Sequence, residues 1–319
     1  MVTVSAPGKV ILMGDHAVVY GKPALVAAID RRLKVSITLR PHSSLSASRV
    51  DIRSEEDPSY VRHIVDIACQ MGHIDTSTRM SISITSDLKP GYHIGTSAAV
   101  AVATVGAILF AAKKIWNPVL INQIAYEAEK RKHGTPSGVD NTSSTMGGLL
   151  WYRKELEFLK SMWQVPIRVT DVIDHFYLVD SGRPPESTGE MVAYVRKSVE
   201  KEPEKFASIF EENERATRLC AVAIKEHDSQ AMLSAMIRGN KTLQDMGVES
   251  TKAIEIIHSI EQSGGAAKIL GGGGRAGSVG YILAYHKSET ALQSALSVYK
   301  AAPEKIKIGQ DGVRLEQKE

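Results

Sequence analysis

Between Leu33 and Leu39 every second residue is apolar (Leu33, Val35, Ile37, Leu39), which predicts a strand with one buried face. Met80–Ser86 alternates in the same way, and Val2–Ser5, Lys9–Met13 and Gly147–Tyr152 read as further strands. Apolar residues at helical spacing (Val61, Ile64, Val65, Ala68) predict a helix over Ser59–Met71. Ser97–Lys114 predicts a helix buried in the core. Its apolar stretch, Ala98–Ala112, is about 15 residues broken by Thr104 and Gly106, short of the roughly 20 that cross a bilayer. Asn117-Pro118 is a helix-start signal, a capping side chain followed by a proline in the first turn, and that helix should run to about Arg131.

From about Val165 the pattern predicts a strand at His175–Val179 and helices at Ser187–Val199, Glu202–His227, Ser229–Met246, Val248–Ser263 and Ser288–Tyr299. Strands at Ala267–Leu270 and Ser278–Ala284 flank a run of glycines, and Lys305–Ile308 and Val313–Glu316 are positioned to pair with each other. Strands and helices mixed without strict βαβ alternation point to an α+β fold. The chain shows neither an internal repeat nor a low-complexity linker.

Composition narrows the function classes. Hydrophobic residues at 43% and charged residues at 24% are those of an ordinary globular protein. A formal net charge of +3, with bases scattered among acids, argues against a nucleic-acid or membrane partner. Aromatic residues at 6% are too sparse for a base-stacking surface. Cys69 and Cys220 lie in apolar, helix-like surroundings, as expected of structural thiols in a reducing compartment. No basic-plus-apolar signal segment opens the sequence, and no His/Cys/Glu set has zinc spacing.

The candidate chemistry sits on glycine-containing turns. Residues 133–141 read HGTPSGVDN and present Asp140 after a Pro-Ser-Gly turn, where an acid can accept a proton from a hydroxyl or simply cap the next element. Gly95-Thr96-Ser97 runs straight into the predicted buried helix, so free amides and the positive helix end favour phosphate there. It is not a GxxxxGK[ST] loop. Gly272, Gly274 and Gly277 formally fit a dinucleotide fingerprint. That motif must open a helix, and the following SVGYILAY is strand-like, so the fit is rejected. Glu127 and Glu129 both lie at the edge of the apolar face of their helix, and the pattern does not choose between them. Lys9 by itself reads as a surface lysine.

Taken in order, PGKVILMGDHAVVYGKPAL, PGYHIGTSAA, HGTPSGVDN and the Gly271–Gly274 run resemble the four motifs of the GHMP family of small-molecule kinases, and most closely its mevalonate-phosphorylating branch. The resemblance covers nearly the whole chain. It implies two lobes, 1–164 carrying the nucleotide and catalytic motifs and 165–319 carrying the third glycine motif, with the site in the cleft between them. It implies ATP held by Pro90, Gly91, Ile94, Gly95, Thr96, Ser97 and Ala98, and Mg²⁺ held by Ser97 and Glu129. Asp140 and Lys9 would act on the acceptor hydroxyl. Mevalonate would be seated by Lys9, Asp15, His16, Asp140, Thr188 and Gly273. A cytoplasmic homodimer working in isoprenoid biosynthesis, with neither nucleic acid nor membrane as partner, is also implied. The chain departs from the family pattern at several positions. Asp15 stands where Glu is usual, and His93 and Ile94 where Gly and Leu are common. Leu270 stands where a hydroxyl residue is common, Arg275 and Ala276 replace glycines, and the basic residue before Thr188 is displaced to Arg183. The rival expectations are a GHMP kinase for another hydroxy acid or sugar, and a non-catalytic metabolite-binding protein on the same scaffold.

Overall fold

The computed structural model describes residues 1–40, 49–133, 136–166 and 171–316. Gly134 and Thr135 of the HGTPSGVDN stretch lie outside the described residues.

Six strands of a first sheet come from the first 165 residues: β1 (Val2–Met13), β2 (Pro23–Arg40), β3 (Val50–Arg53), β4 (Arg79–Ser86), β5 (Leu149–Lys154) and β6 (Lys160–Val165). A second sheet holds β7 (Phe176–Asp180), β8 (Ala266–Ile269), β9 (Tyr281–Tyr285) and β10 (Pro303–Lys305) in the order β10-β7-β9-β8. The last strand, β11 (Arg314–Leu315), returns to the first sheet and pairs with β1, Val4 opposite Leu315. Apart from the parallel pair β3–β4, the pairings are antiparallel. Nine helices complete the described fold: α1 (Pro58–Met71), α2 (Thr96–Lys113), α3 (Pro118–His133), α4 (Val139–Met146), α5 (Thr188–Lys201), α6 (Pro203–Glu226), α7 (Ser229–Met246), α8 (Thr251–Gln262) and α9 (Glu289–Leu296). This is the α+β architecture that the sequence predicts.

The core follows the pattern. Helix α2 is long and apolar enough to cross a membrane by composition, yet it is buried within the fold, packed on β1 and β2 and flanked by α1 and α3. A helix covered all round carries no polar face, which is why its sequence is uniformly apolar. Cys69 and Cys220 are buried free thiols.

Several elements differ from expectation. The strands predicted at Val2–Ser5 and Lys9–Met13 are one strand, with register shifts between Pro7 and Lys9 and between Ile11 and Met13. Strand β2 starts ten residues before Leu33 because Pro23–Ile29 is buried on both faces, so it shows no alternation to read. Helix α4 (VDNTSSTM) has no apolar stripe; its buried face consists of hydroxyl and amide side chains such as Asn141, Thr142, Ser143 and Thr145. The two C-terminal segments do not pair with each other. β10 joins β7, Ile308 bridges to Ile29, and β11 joins β1, because each finds an open edge on a different sheet. The glycine run does connect two antiparallel strands, β8 and β9, which confirms that it is not a dinucleotide-binding turn.

Candidate active site

Gly8 decides how close the nucleotide-side loop comes to β1. A Cβ there would lie 2.5 Å from Leu88 Cδ2 and 2.9 Å from the Ile94 carbonyl. Without it, the Lys9 amide donates to that same carbonyl at 2.9 Å. Lys9 is therefore buried instead of exposed, and its Nζ lies 3.1 Å from Asp140 Oδ1. The Asp140 side chain remains 41% exposed, so one partner of the pair is fixed and the other faces open space. Gly95 packs against the stem of the lysine: at φ +77 it would place a Cβ 2.8 Å from Lys9 Cγ.

Two helices begin at this point behind a left-handed glycine, Gly95 before α2 and Gly138 before α4, and neither glycine offers a side chain to the first-turn amides. Ser137 Oγ accepts from the Val139 amide of α4 at 3.3 Å, whereas the start of α2 has no side-chain cap. The positive ends of the helices add to the lysine charge, a setting that favours bound phosphate. Asp140 sits in the first turn of α4, where the helix dipole also favours its negative charge.

Three helices meet at Glu129. Ser97 Oγ of α2 donates to Glu129 Oε1 at 2.5 Å, and the Tyr60 hydroxyl of α1 donates to the same oxygen. Burial, reinforced by the Glu129 charge, raises the Tyr60 pKa and keeps it a donor. Glu129 is 3% exposed, whereas Glu127 points outward and pairs with Lys130 at 2.7 Å. Of the two, the fold turns Glu129 to the cavity.

On the opposite wall, Asp15 is occupied internally. Its Oδ2 pairs with Lys268 Nζ at 2.6 Å and its Oδ1 accepts from the Gly271 amide at 2.8 Å. Both ionic partners are 1% exposed. His16 Nε2 lies 3.2 Å from the Gly272 carbonyl, and burial lowers its pKa. Thr188, the first residue of α5, places Oγ1 3.1 Å from His93 Nδ1.

These groups surround one cavity of about 890 Å³, a size suited to a cofactor-plus-substrate site. Lys9, Asp15, His16, Ser97, Glu129, Asp140 and Thr188 all reach its wall, as do Pro90, Gly91, Gly95 and Thr96. Three expected residues do not. The Ile94 and Ala98 side chains are buried in the core at 2% and 1% exposure, turned away by the start of α2. Gly273 faces inward, where a Cβ would meet the Val248 carbonyl at 2.3 Å; Gly271 and Gly272 line the cavity in its place. The Thr96 hydroxyl is engaged by the Lys89 carbonyl at 3.1 Å. Sequence reasoning missed Tyr60, Lys268 and Arg196, the last standing on the cavity wall, as Arg183 does. Lys268 alone carried a signal, a single charge inside the predicted apolar strand Ala267–Leu270.

A cavity with two glycine-led helix starts, a buried lysine against an acid and a hydroxyl against a carboxylate suits phosphoryl transfer to a small molecule. Comparison with known proteins agrees. The GHMP kinases N terminal domain matches residues 59–148. Mevalonate kinase of Pyrococcus abyssi is 32% identical over 345 aligned residues, covering 99% of this chain and 98% of that protein. Mevalonate kinase of Archaeoglobus fulgidus is 32% identical, covering 98% and 99%. Among solved structures, L. major mevalonate kinase in complex with R-mevalonate superposes with a TM-score of 0.78 at 23% identity, covering 97% of this chain and 96% of that one. Lactococcus lactis galactokinase shares the fold with a TM-score of 0.75 at 16% identity, covering 98% and 94%. The chain belongs to the GHMP kinases and, within them, to the mevalonate kinase family.

Proposed function

We propose that this chain transfers the γ-phosphoryl group of ATP to the primary hydroxyl of mevalonate, giving 5-phosphomevalonate for isoprenoid biosynthesis. The observation that carries the reading is the 3.1 Å Lys9–Asp140 contact beside the uncapped start of α2. Phosphoryl transfer needs alignment and charge stabilisation more than covalent help. Asp140 takes or orients the proton of the acceptor hydroxyl as that oxygen bonds to phosphorus and the bond to the ADP oxygen breaks. Lys9 holds Asp140 in place and faces the charge that develops on the phosphoryl oxygens. The amides of Gly95, Thr96 and Ser97 at the start of α2 receive the phosphates, with Gly91 allowing close approach at φ +82.

The residues also fit Mg²⁺. Ser97 and Glu129 offer two hard oxygen donors 2.5 Å apart on the cavity wall. No cluster of three or more His, Cys, Asp or Glu occurs among the described residues, and Mg²⁺ characteristically takes its other positions from phosphate and water. When bound, the ion neutralises charge on the transferring phosphate. On the acceptor side, His16 and Thr188 seat the carboxylate end. Asp15 serves that side indirectly, by tethering the glycine-rich loop through Gly271. The division into lobes 1–164 and 165–319, a cytoplasmic location and assembly as a homodimer belong to the same proposal; light scattering of the purified chain tests the assembly.

The decisive experiment is coupled ADP release with Mg-ATP, comparing mevalonate with galactose, homoserine, pantoate and phosphomevalonate. Turnover on mevalonate alone is the expected result. Turnover on another acceptor overturns the substrate, and turnover on none of them overturns the catalytic reading.

A further inference from the structure

His93 occupies a place that backbone geometry reserves for glycine. Its φ is +64, a left-handed conformation that costs a side-chain-bearing residue about 1–2 kcal/mol. The surroundings hold it there. Three glycines of the later loop make room for the ring: a Cβ on Gly271 would lie 2.9 Å from His93 Cβ, one on Gly280 3.2 Å from Cδ2, and one on Gly272 3.5 Å from Cε1. The ring is thus a knob from the 90–95 loop seated in a hole of the 271–280 loop. From there Nδ1 meets Thr188 Oγ1 at 3.1 Å, while the His93 carbonyl accepts from Lys9 Nζ at 3.5 Å. One residue therefore touches both the lysine of the catalytic pair and the threonine at the start of α5.

We propose that His93 is a positioning residue that orients the Thr188 hydroxyl toward the acceptor and so couples the acceptor side of the cleft to the nucleotide loop. The inference rests on the kinase reading above. Its chemistry requires a ring with a single N–H. Burial, with Lys9 and His16 adding to it, lowers the His93 pKa to about 4, so the ring is neutral at neutral pH. A neutral ring makes one defined hydrogen bond with Thr188 and puts no second cation beside Lys9. A backbone strained in order to present a side chain is the pattern of a functional constraint.

The test uses His93→Gly and His93→Asn in the full chain. Glycine accepts the positive φ and creates no clash, so the fold should be retained, with an unchanged circular-dichroism spectrum and cooperative unfolding as the check. The expected result is a rise of about tenfold in KM for the acceptor, with KM for ATP within about twofold of wild type. Asparagine tolerates the left-handed backbone and places an amide atom where Nδ1 stood, so His93→Asn should recover most of the lost affinity. Thr188→Val should weaken acceptor binding in the wild-type background and have little further effect in His93→Gly. An unchanged acceptor KM in His93→Gly overturns the proposal. So does an equal rise in both KM values, a failure of asparagine to rescue, or a Thr188→Val effect that is the same in both backgrounds. Wild type assayed alongside separates the two levels of failure. If it is inactive on every acceptor, the kinase reading falls; if it is active and His93→Gly matches it, only the present inference falls.

Discussion

Lys268→Met tests whether the Asp15–Lys268 ion pair anchors the glycine-rich loop. Lys268 is 1% exposed, and its ammonium meets the Asp15 carboxylate at 2.6 Å and the carbonyls of Ile269 and Ile11 at 2.7 and 3.1 Å. Methionine replaces the aliphatic stem and removes the charge. Asp15 is then an uncompensated buried carboxylate, and removing one partner of such a pair costs about 3–5 kcal/mol. In a chain of this size that corresponds to a fall of about 4–8 °C in melting temperature. The double variant Asp15→Asn/Lys268→Met leaves no buried charge and keeps an acceptor for the Gly271 amide, so most of the loss should return. Thermal and urea unfolding at pH 7 of the two single variants and the double variant measure the coupling directly. A Lys268→Met loss below about 1 kcal/mol, or single-variant losses that simply add, would refute the ion-pair argument. Activity of the refolded double variant carries a second answer. If Asp15 acts only through the loop, the double variant keeps measurable turnover; direct substrate binding by Asp15 requires that it does not.

Asp140→Asn should lower kcat by about 10²–10⁴-fold while nucleotide affinity and melting temperature stay close to wild type, because the side chain is partly exposed and asparagine preserves its shape. Gly95→Ala forces a Cβ against the Lys9 stem at φ +77; we expect a stability loss of about 1–2 kcal/mol and at least a roughly tenfold fall in kcat, read by calorimetry and ADP release. Burial pushes the Glu249 carboxyl up to about 8, with Gln244, Lys268 and Asn240 partly opposing it. The folded state therefore holds a proton that the unfolded state releases near the ordinary value of 4.5, and this contribution to stability is complete below about 4.5 and is lost as pH rises through 8. Glu249→Gln should accordingly stabilise the protein at pH 8 more than at pH 5, as shown by urea midpoints at the two pH values.

Elements with one wet face were legible in the sequence, because alternation or helical spacing records which side is buried. The 33–39 part of β2, β4 and α1 are of this kind. Where both faces are buried, as at Pro23–Ile29, or where the buried face is polar, as in α4, the record disappears. The cavity was legible to the extent that it is built from turns. Gly95, Ser97 and Asp140 stand on glycine-marked helix starts, and the fold brings all three to one wall. Partners distant in sequence were not legible. Lys268 reaches Asp15 across 253 positions only because the fold brings β8 within reach of the end of β1, where its ammonium also meets the Ile11 carbonyl, and Tyr60 reaches Glu129 only because α1 packs on α3. Lys9 illustrates the same limit, since nothing local distinguishes it from a solvated lysine until Gly8 lets the distant Leu88–Ile94 segment close over it.

The pairing of β11 with β1 also sets a timetable. The Ser5 hydroxyl bonds to Glu316, 311 residues further on, and Thr3 accepts from the Glu316 amide. At about 5–20 residues per second, a ribosome needs roughly 15–60 s to make that distance. Throughout that interval β1 can zip to β2 while its other edge has no partner from its own chain, and an open edge is a template for strands of neighbouring nascent chains. Residues 314–316 thus act as a closure that arrives late. Crowded synthesis, more than heat, is the condition under which losing residues 314–316 should be felt first, as aggregate in place of folded protein.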